Sequence, residues 1–251
     1  MAEESVLRAE GLSKRFGGVV AADGVDIAVR EGEMRCIIGP NGAGKSTFFQ
    51  LLCGIYTPDA GKVLYRGRDI TRMPAFRRAR LGLGMTFQQN RAFHNLTVRQ
   101  NLDAPMSPAS GGESSGGESS GGGSDTAARR FRDALETFEL TPHYDEPARE
   151  LPHHKLQWLE IAMVLAAGPG VLLLDEPTAG MSPEETSQTA KVLRRLNGEG
   201  LTIVVVEHDI AFVREVAELV TVLHQGKVFA EGAVAEITAH EDVRRIYLGQ
   251  A

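Results

Sequence analysis

Gly39-Pro40-Asn41-Gly42-Ala43-Gly44-Lys45-Ser46 decides how the rest of this chain is read. The stretch lies between a short apolar run, Met34–Ile38, and a helix-like run, Thr47–Cys53, that Gly54 stops. Its glycines let successive backbone N–H groups wrap a chain of phosphates, and the following helix aims its positive end at the same point. In such a loop Lys45 reaches the β- and γ-phosphates and the Ser46 hydroxyl holds Mg²⁺. Thr47 adds a contact to the α-phosphate. A chance glycine-rich turn would not carry a strand before it and a helix after it.

Working outward, Val25, Ile27 and Val29 alternate with Asp26, Ala28 and Arg30, the period of a half-buried strand. A hairpin-like stretch, Lys62–Tyr65, follows the turn Pro58-Asp59-Ala60-Gly61. The second half alternates: helix over Leu156–Ala167, buried strand over Val171–Leu174, helix over Pro183–Asn197, buried strand over Leu201–Val206. Strands apolar on both faces that alternate with helices predict a parallel sheet covered on both sides.

Between the halves, residues 88–150 hold helix-like stretches near Val98–Leu102 and Ala127–Leu140, with Phe131, Leu135 and Phe138 on one face. A small helical subdomain inserted in the sheet domain is expected there. Within it, Ser107–Ser124 is almost entirely Gly and Ser with two Glu, too polar to offset its own ordering. As a flexible tether its root-mean-square span is roughly 23 Å.

Two further strand ends carry chemistry. Val171-Leu172-Leu173-Leu174-Asp175-Glu176 puts two acids at the C-terminal end of a buried strand, where α/β sheets bind ligands. Asp175 suits an outer contact to Mg²⁺, and Glu176 is placed to polarise an attacking water as general base. Leu201–Val206 ends similarly in Glu207-His208-Asp209, where His208 is a candidate γ-phosphate contact. Gln88, after Thr86-Phe87, is a candidate sensor of Mg²⁺ and the attacking water.

The 251 residues include 27 Lys plus Arg against 33 Asp plus Glu, a net charge of −6 that argues against coating nucleic acid. The cluster Arg72, Arg77, Arg78 and Arg80 reads as a solvated helix face. Cys36 and Cys53 make no metal set or disulfide framework and read as buried small hydrophobes. The start shows no secretory signal, and the longest apolar runs fall far below the ~20 residues of a membrane span. A cytoplasmic chain that works at a membrane through partners is expected.

Taken in this order and at these distances, the elements resemble the nucleotide-binding subunit of ABC transporters over essentially the whole chain. The resemblance implies an α/β fold with a P-loop NTPase core, a mainly parallel sheet, an antiparallel β subdomain and the inserted helical subdomain. Residues 1–87 and 151–251 would form the core and 88–150 the insert. It implies ATP and Mg²⁺ as cofactors, with Gly39, Pro40, Asn41, Gly42, Ala43, Gly44, Lys45, Ser46 and Thr47 on the nucleotide. Phe16, in Lys14-Arg15-Phe16-Gly17-Gly18, matches the aromatic that stacks on adenine. Ser46, Gln88 and Asp175 match the metal contacts, while Glu176, Gln88 and His208 match the catalytic set. Ala179-Gly180-Met181-Ser182 matches the loop that faces a second subunit.

Finer stretches look like the importers of branched-chain amino acids, urea or short-chain amides. They include Gly67–Pro74, Leu81–Gln88, Val205–Asp209 and Arg245–Gly249; Gln157–Ile161 and Val222–Gly226 lean toward the urea type. The implied partners are a sister ATPase in a heterodimer or a second copy in a homodimer, membrane permease subunits and, indirectly, a periplasmic binding protein. The implied place is the inner face of the cell membrane.

One stretch departs from the family. Where Leu-Ser-Gly-Gly-Gln normally opens a helix, this chain has Leu151-Pro152-His153-His154-Lys155. Pro152 supplies neither hydroxyl nor backbone N–H, and His154 puts a ring where glycine admits a phosphate. One weakened ATP site per dimer is expected, unless the positive end of the helix and Lys155 compensate. A soluble ABC ATPase of the iron–sulfur assembly type and a non-hydrolysing ATP-binding switch are the alternative readings.

Overall fold

The structure is a computed structural model and describes residues 5–87, 91–103 and 132–248. The chain divides into two compact units, Met1–Gln88 with Gly170–Ala251, and Gln89–Pro169.

In the first unit the strands run β1 (Ser5–Phe16), β2 (Val19–Arg30), β3 (Met34–Ile38), β4 (Ala60–Tyr65) and β5 (Arg68–Asp69). They continue as β6 (Leu83–Met85), β7 (Val171–Asp175), β8 (Thr202–Val206), β9 (Leu219–His224) and β10 (Lys227–Ala233). Six of them form one sheet in the order β10-β9-β3-β8-β7-β6, and four form a second in the order β2-β1-β4-β5. Neighbours from β9 through β6 are parallel, while β10 joins the edge antiparallel.

Every residue of β3, β7 and β8 is buried. Their two-faced apolar character demands cover on both sides, which fits strands linked by crossover helices. The second sheet is antiparallel throughout. There Val25, Ile27 and Val29 turn inward and Asp26, Ala28 and Arg30 outward, as the alternation predicts. The long β1 escaped the sequence reading because its polar and charged residues interrupt the alternation.

Arg35 sits inside the apolar run of β3 and is nonetheless buried. Its guanidinium donates to Glu33 Oε1 at 2.6 Å, Glu231 Oε2 at 2.6 Å, Thr221 Oγ1 at 3.1 Å and the Ala28 carbonyl at 2.9 Å. Saturating the donors in this way is what makes a buried guanidinium tolerable.

The helix Lys45–Cys53 buries Phe48, Phe49, Leu51, Leu52 and Cys53 against residues of both sheets. It ends at Gly54 (φ +75°), and its last carbonyls are closed from outside. Arg78, on the short helix Ala75–Arg80, donates to the carbonyls of Leu51 (2.8 Å), Leu52 (2.6 Å), Thr71 (2.9 Å) and Met73 (2.8 Å). For Arg78 this corrects the reading of the arginine cluster as a solvated face, while Arg72, Arg77 and Arg80 are exposed as that reading has them. Arg78 is fully buried, and burial brings its pKa down to about 10, which leaves it charged at neutral pH. A charge run cannot reveal that one member faces an open helix end.

The second unit contains the helix Val98–Asp103, helical residues 132–137, and the helix His153–Ala166. Asn101 is buried and knots its loop, accepting from the Phe93 N–H and donating to the carbonyls of Phe93, Leu96 and Thr97. The sequence reading ends the insert at Glu150, whereas the compact unit runs on to Pro169. The reason is packing: the helix His153–Ala166 lies on Val98–Asp103, and Trp158 meets Phe138 at 6.2 Å between ring centres. Gln88, Phe131 and the Gly/Ser stretch 107–124 lie outside the described residues.

Candidate nucleotide site

Strands β3, β8 and β7 lie side by side, so the loops leaving their C-terminal ends emerge together. Backbone bonds stitch those ends: the Glu207 N–H donates to the Ile37 carbonyl at 3.2 Å, and the Glu176 N–H to the Val206 carbonyl at 2.9 Å.

The loop after β3 allows no side chain at two of its glycines. A Cβ at Gly44 (φ +100°) would lie 2.2 Å from the Ala21 carbonyl oxygen, and one at Gly39 2.2 Å from that of Leu223. The Gly226 N–H holds the loop at the Ala43 carbonyl, 2.9 Å away. Lys45 opens the helix and is buried, its Nζ donating to the carbonyls of Gly39 (2.6 Å) and Pro40 (3.1 Å). Burial lowers its pKa, and Glu176, Asp175 and Glu207 oppose that shift. Ser46 and Asn41 are exposed.

Asp175 ends β7 and is 5% exposed. Burial first, then the acids Glu176 and Glu207, push its pKa up to about 6, with Lys45 pulling the other way. Glu176 follows in left-handed backbone (φ +49°), a conformation that costs a non-glycine residue of the order of 1 kcal/mol. The His208 side chain, more than half exposed, brings Nδ1 to 3.7 Å from Glu176 Oε1 and 3.7 Å from Glu207 Oε2.

An open pocket of about 370 Å³ is lined by Phe16, residues 19–21, residues 41–47 and Glu176. Phe16 is 42% exposed and meets Tyr56 edge-on at 5.1 Å, so its ring belongs to the pocket wall rather than the core. The arrangement has the parts for phosphate transfer: backbone donors and an ammonium for the phosphates, a buried carboxylate for a cation, and a second carboxylate beside an imidazole. Asp175 and Ser46 are hard oxygen donors of the sort Mg²⁺ takes, and a buried acid with a raised pKa is one that a cation would stabilise. Glu207 and Thr178 had no role in the sequence reading; an acid closing an all-apolar strand was the available signal.

In the second unit, Pro152 occupies the N-cap of His153–Ala166 with no side-chain cap. Lys155 turns inward: its Nζ lies 4.6 Å from the centre of the Trp158 ring and 3.3 Å from Glu139 Oε2. His154 meets Trp158 edge-on at 5.3 Å.

The family model described as "ABC transporter" matches residues 22–179, which hold the phosphate loop and the Asp175-Glu176 pair. The chain belongs to the ABC transporter family. Among its ABC relatives is the high-affinity branched-chain amino acid transport ATP-binding protein LivG of Salmonella typhimurium, 36% identical over 99% of both chains. BraF of Pseudomonas aeruginosa, named for the same transport, is 34% identical over 98% of both. A solved ATP-binding cassette of an ABC transporter in its ADP conformation superposes with a TM-score of 0.84 at 28% identity, covering 98% of this chain and 99% of that one. This ABC protein is an α/β cassette and an ATPase coupled to transport. Among its described residues no helix is long and apolar enough to cross a membrane.

Proposed function

We propose that this chain is the ATP-hydrolysing subunit of an importer for branched-chain amino acids, urea or short-chain amides, bound to permease subunits at the inner face of the membrane. The observation that carries the hydrolytic part is the meeting of Lys45, Asp175, Glu176 and His208 at three adjacent strand ends beside one pocket. Full-length similarity to LivG and BraF supports the choice of solute.

In this reading the adenine lies against Phe16, and the backbone of residues 39–47 wraps the phosphates. Lys45 exchanges its two carbonyl partners for the β- and γ-phosphates. Ser46, Asp175 and Gln88 would hold Mg²⁺, which when bound neutralises charge on the β- and γ-phosphates. Glu176 accepts a proton from the attacking water as the new P–O bond forms and the bond to ADP breaks. His208 donates to the γ-phosphate. Replacing Glu176 by Gln removes the proton acceptor and keeps the shape. It is expected to lower ATP turnover in the transporter complex by at least about 100-fold while ATP affinity stays within a few-fold. Unchanged turnover would favour a non-hydrolysing switch instead.

The altered stretch at 151–155 supports one weakened site per dimer. Lys155 is committed to Trp158 and Glu139, so it offers the missing serine and glycines little substitute.

A further inference from the structure

We propose that Glu207 is a positioning residue for ATP hydrolysis: a buried carboxylate that clamps the loop carrying Glu176 to the loop carrying His208. The proposal rests on the reading of Glu176 and His208 as hydrolytic residues.

Glu207 is 1% exposed and closes β8. Its two oxygens face different loops. Oε1 accepts the Thr178 hydroxyl at 2.6 Å and the Thr178 N–H at 3.3 Å, so it grips the chain two residues after Glu176. Oε2 accepts the His208 N–H at 2.9 Å, with the Asp209 N–H at 3.5 Å. Each of these groups donates to Glu207, the pattern of a carboxylate used purely as an acceptor.

Loops after parallel strands are normally free to move independently. Here one side chain ties two of them within one residue of His208 and two of Glu176, and those two side chains stand 3.7 Å apart. A backbone bond from the Glu176 N–H to the Val206 carbonyl fixes the base of the Glu176 loop, and the Glu207 side chain takes hold further along it, at Thr178. A shift of about 1 Å between a general base and its partner is enough to cost on the order of 100-fold in rate, so a clamp of this kind acts on turnover rather than on binding. Among the described residues Glu207 makes no hydrogen bond to the 39–47 loop, its N–H going to the Ile37 carbonyl on the preceding strand, while its charge acts on Lys45 and Asp175; Thr178→Val leaves that charge in place and isolates the clamp.

The test uses the full chain purified with its membrane partners, together with Glu207→Gln, Thr178→Val and Thr178→Ser. Turnover and KM for ATP are measured, alongside binding of a fluorescent ATP analogue and melting temperature. The clamp predicts that Thr178→Val and Glu207→Gln lower kcat at least tenfold, that Thr178→Val leaves KM and analogue affinity within threefold, and that Thr178→Ser, which keeps the hydroxyl, retains kcat within about threefold. Three results overturn it: kcat unchanged in Thr178→Val and Glu207→Gln; Thr178→Ser as inactive as Thr178→Val; or kcat, affinity and melting temperature falling together in Thr178→Val, the mark of a merely structural role. Failure of the wild-type complex to lose turnover in Glu176→Gln would instead strike the hydrolytic reading itself.

Discussion

Asp175 carries a charge that the surrounding fold compensates poorly. Its carboxyl is buried beside Glu176 and Glu207, and its pKa rises from 3.8 to about 6. A folded-state pKa above the unfolded one means the unfolded chain releases its proton first, so stability falls as pH rises from about 4 to about 6 and stays reduced above that. Asp175→Asn removes the buried charge. The nucleotide-free variant is therefore expected to melt several degrees above wild type at pH 7.5, with the gain shrinking toward pH 4 in a calorimetric pH series. A variant that melts lower at every pH would show that the aspartate is not destabilised there. The same substitution is expected to weaken Mg²⁺-dependent ATP binding, because the charge that burdens the fold is the one a cation would use.

At the scale of elements, the phosphate loop is held by geometry that extends far from the nucleotide. Its helix ends in carbonyls that Arg78 closes from a neighbouring short helix, and its glycines pack on Ala21 and Leu223. Arg78→Met would fill the space but take a charged donor from four carbonyls, those of Leu51 and Leu52 among them buried. A stability loss of about 3 kcal/mol or more is expected by urea denaturation, at the scale set by unsatisfied buried polar groups. A loss below about 0.5 kcal/mol would mean the carbonyls find other partners. Much of this level was legible from residues. Met34–Ile38 forms β3 as read, and the buried strand at 171–174 needs only Asp175 to complete it. The helix read from Leu156 begins at His153, since an uncapped proline-led start carries no apolar period. Arg78 was not legible, because burial of one arginine among four depends on which helix end it meets in space.

For the whole molecule, alternation of buried strands and helices disclosed the parallel sheet, and the phosphate loop told which end of it bears the chemistry. The extent of the insert did not follow from composition. The helix at 153–166 reads like any core helix in sequence, and only its contact with Val98–Asp103 and Phe138 assigns it to the second unit. That unit also carries the altered stretch. Pro152→Ser combined with His154→Gly restores a hydroxyl, an N–H and room for phosphate, and is expected to raise ATP turnover of the purified chain or its complex several-fold. No gain would show that the stretch does not limit hydrolysis. The central claim is that a nucleoside triphosphate is held by residues 39–47 through Lys45. The most direct measurement is an ATP titration of the wild-type chain against Lys45→Ala. Loss of one charged hydrogen-bonding group, about 1.5–3 kcal/mol, predicts an affinity roughly 10- to 100-fold weaker in the variant. Equal affinity in the two proteins would contradict it.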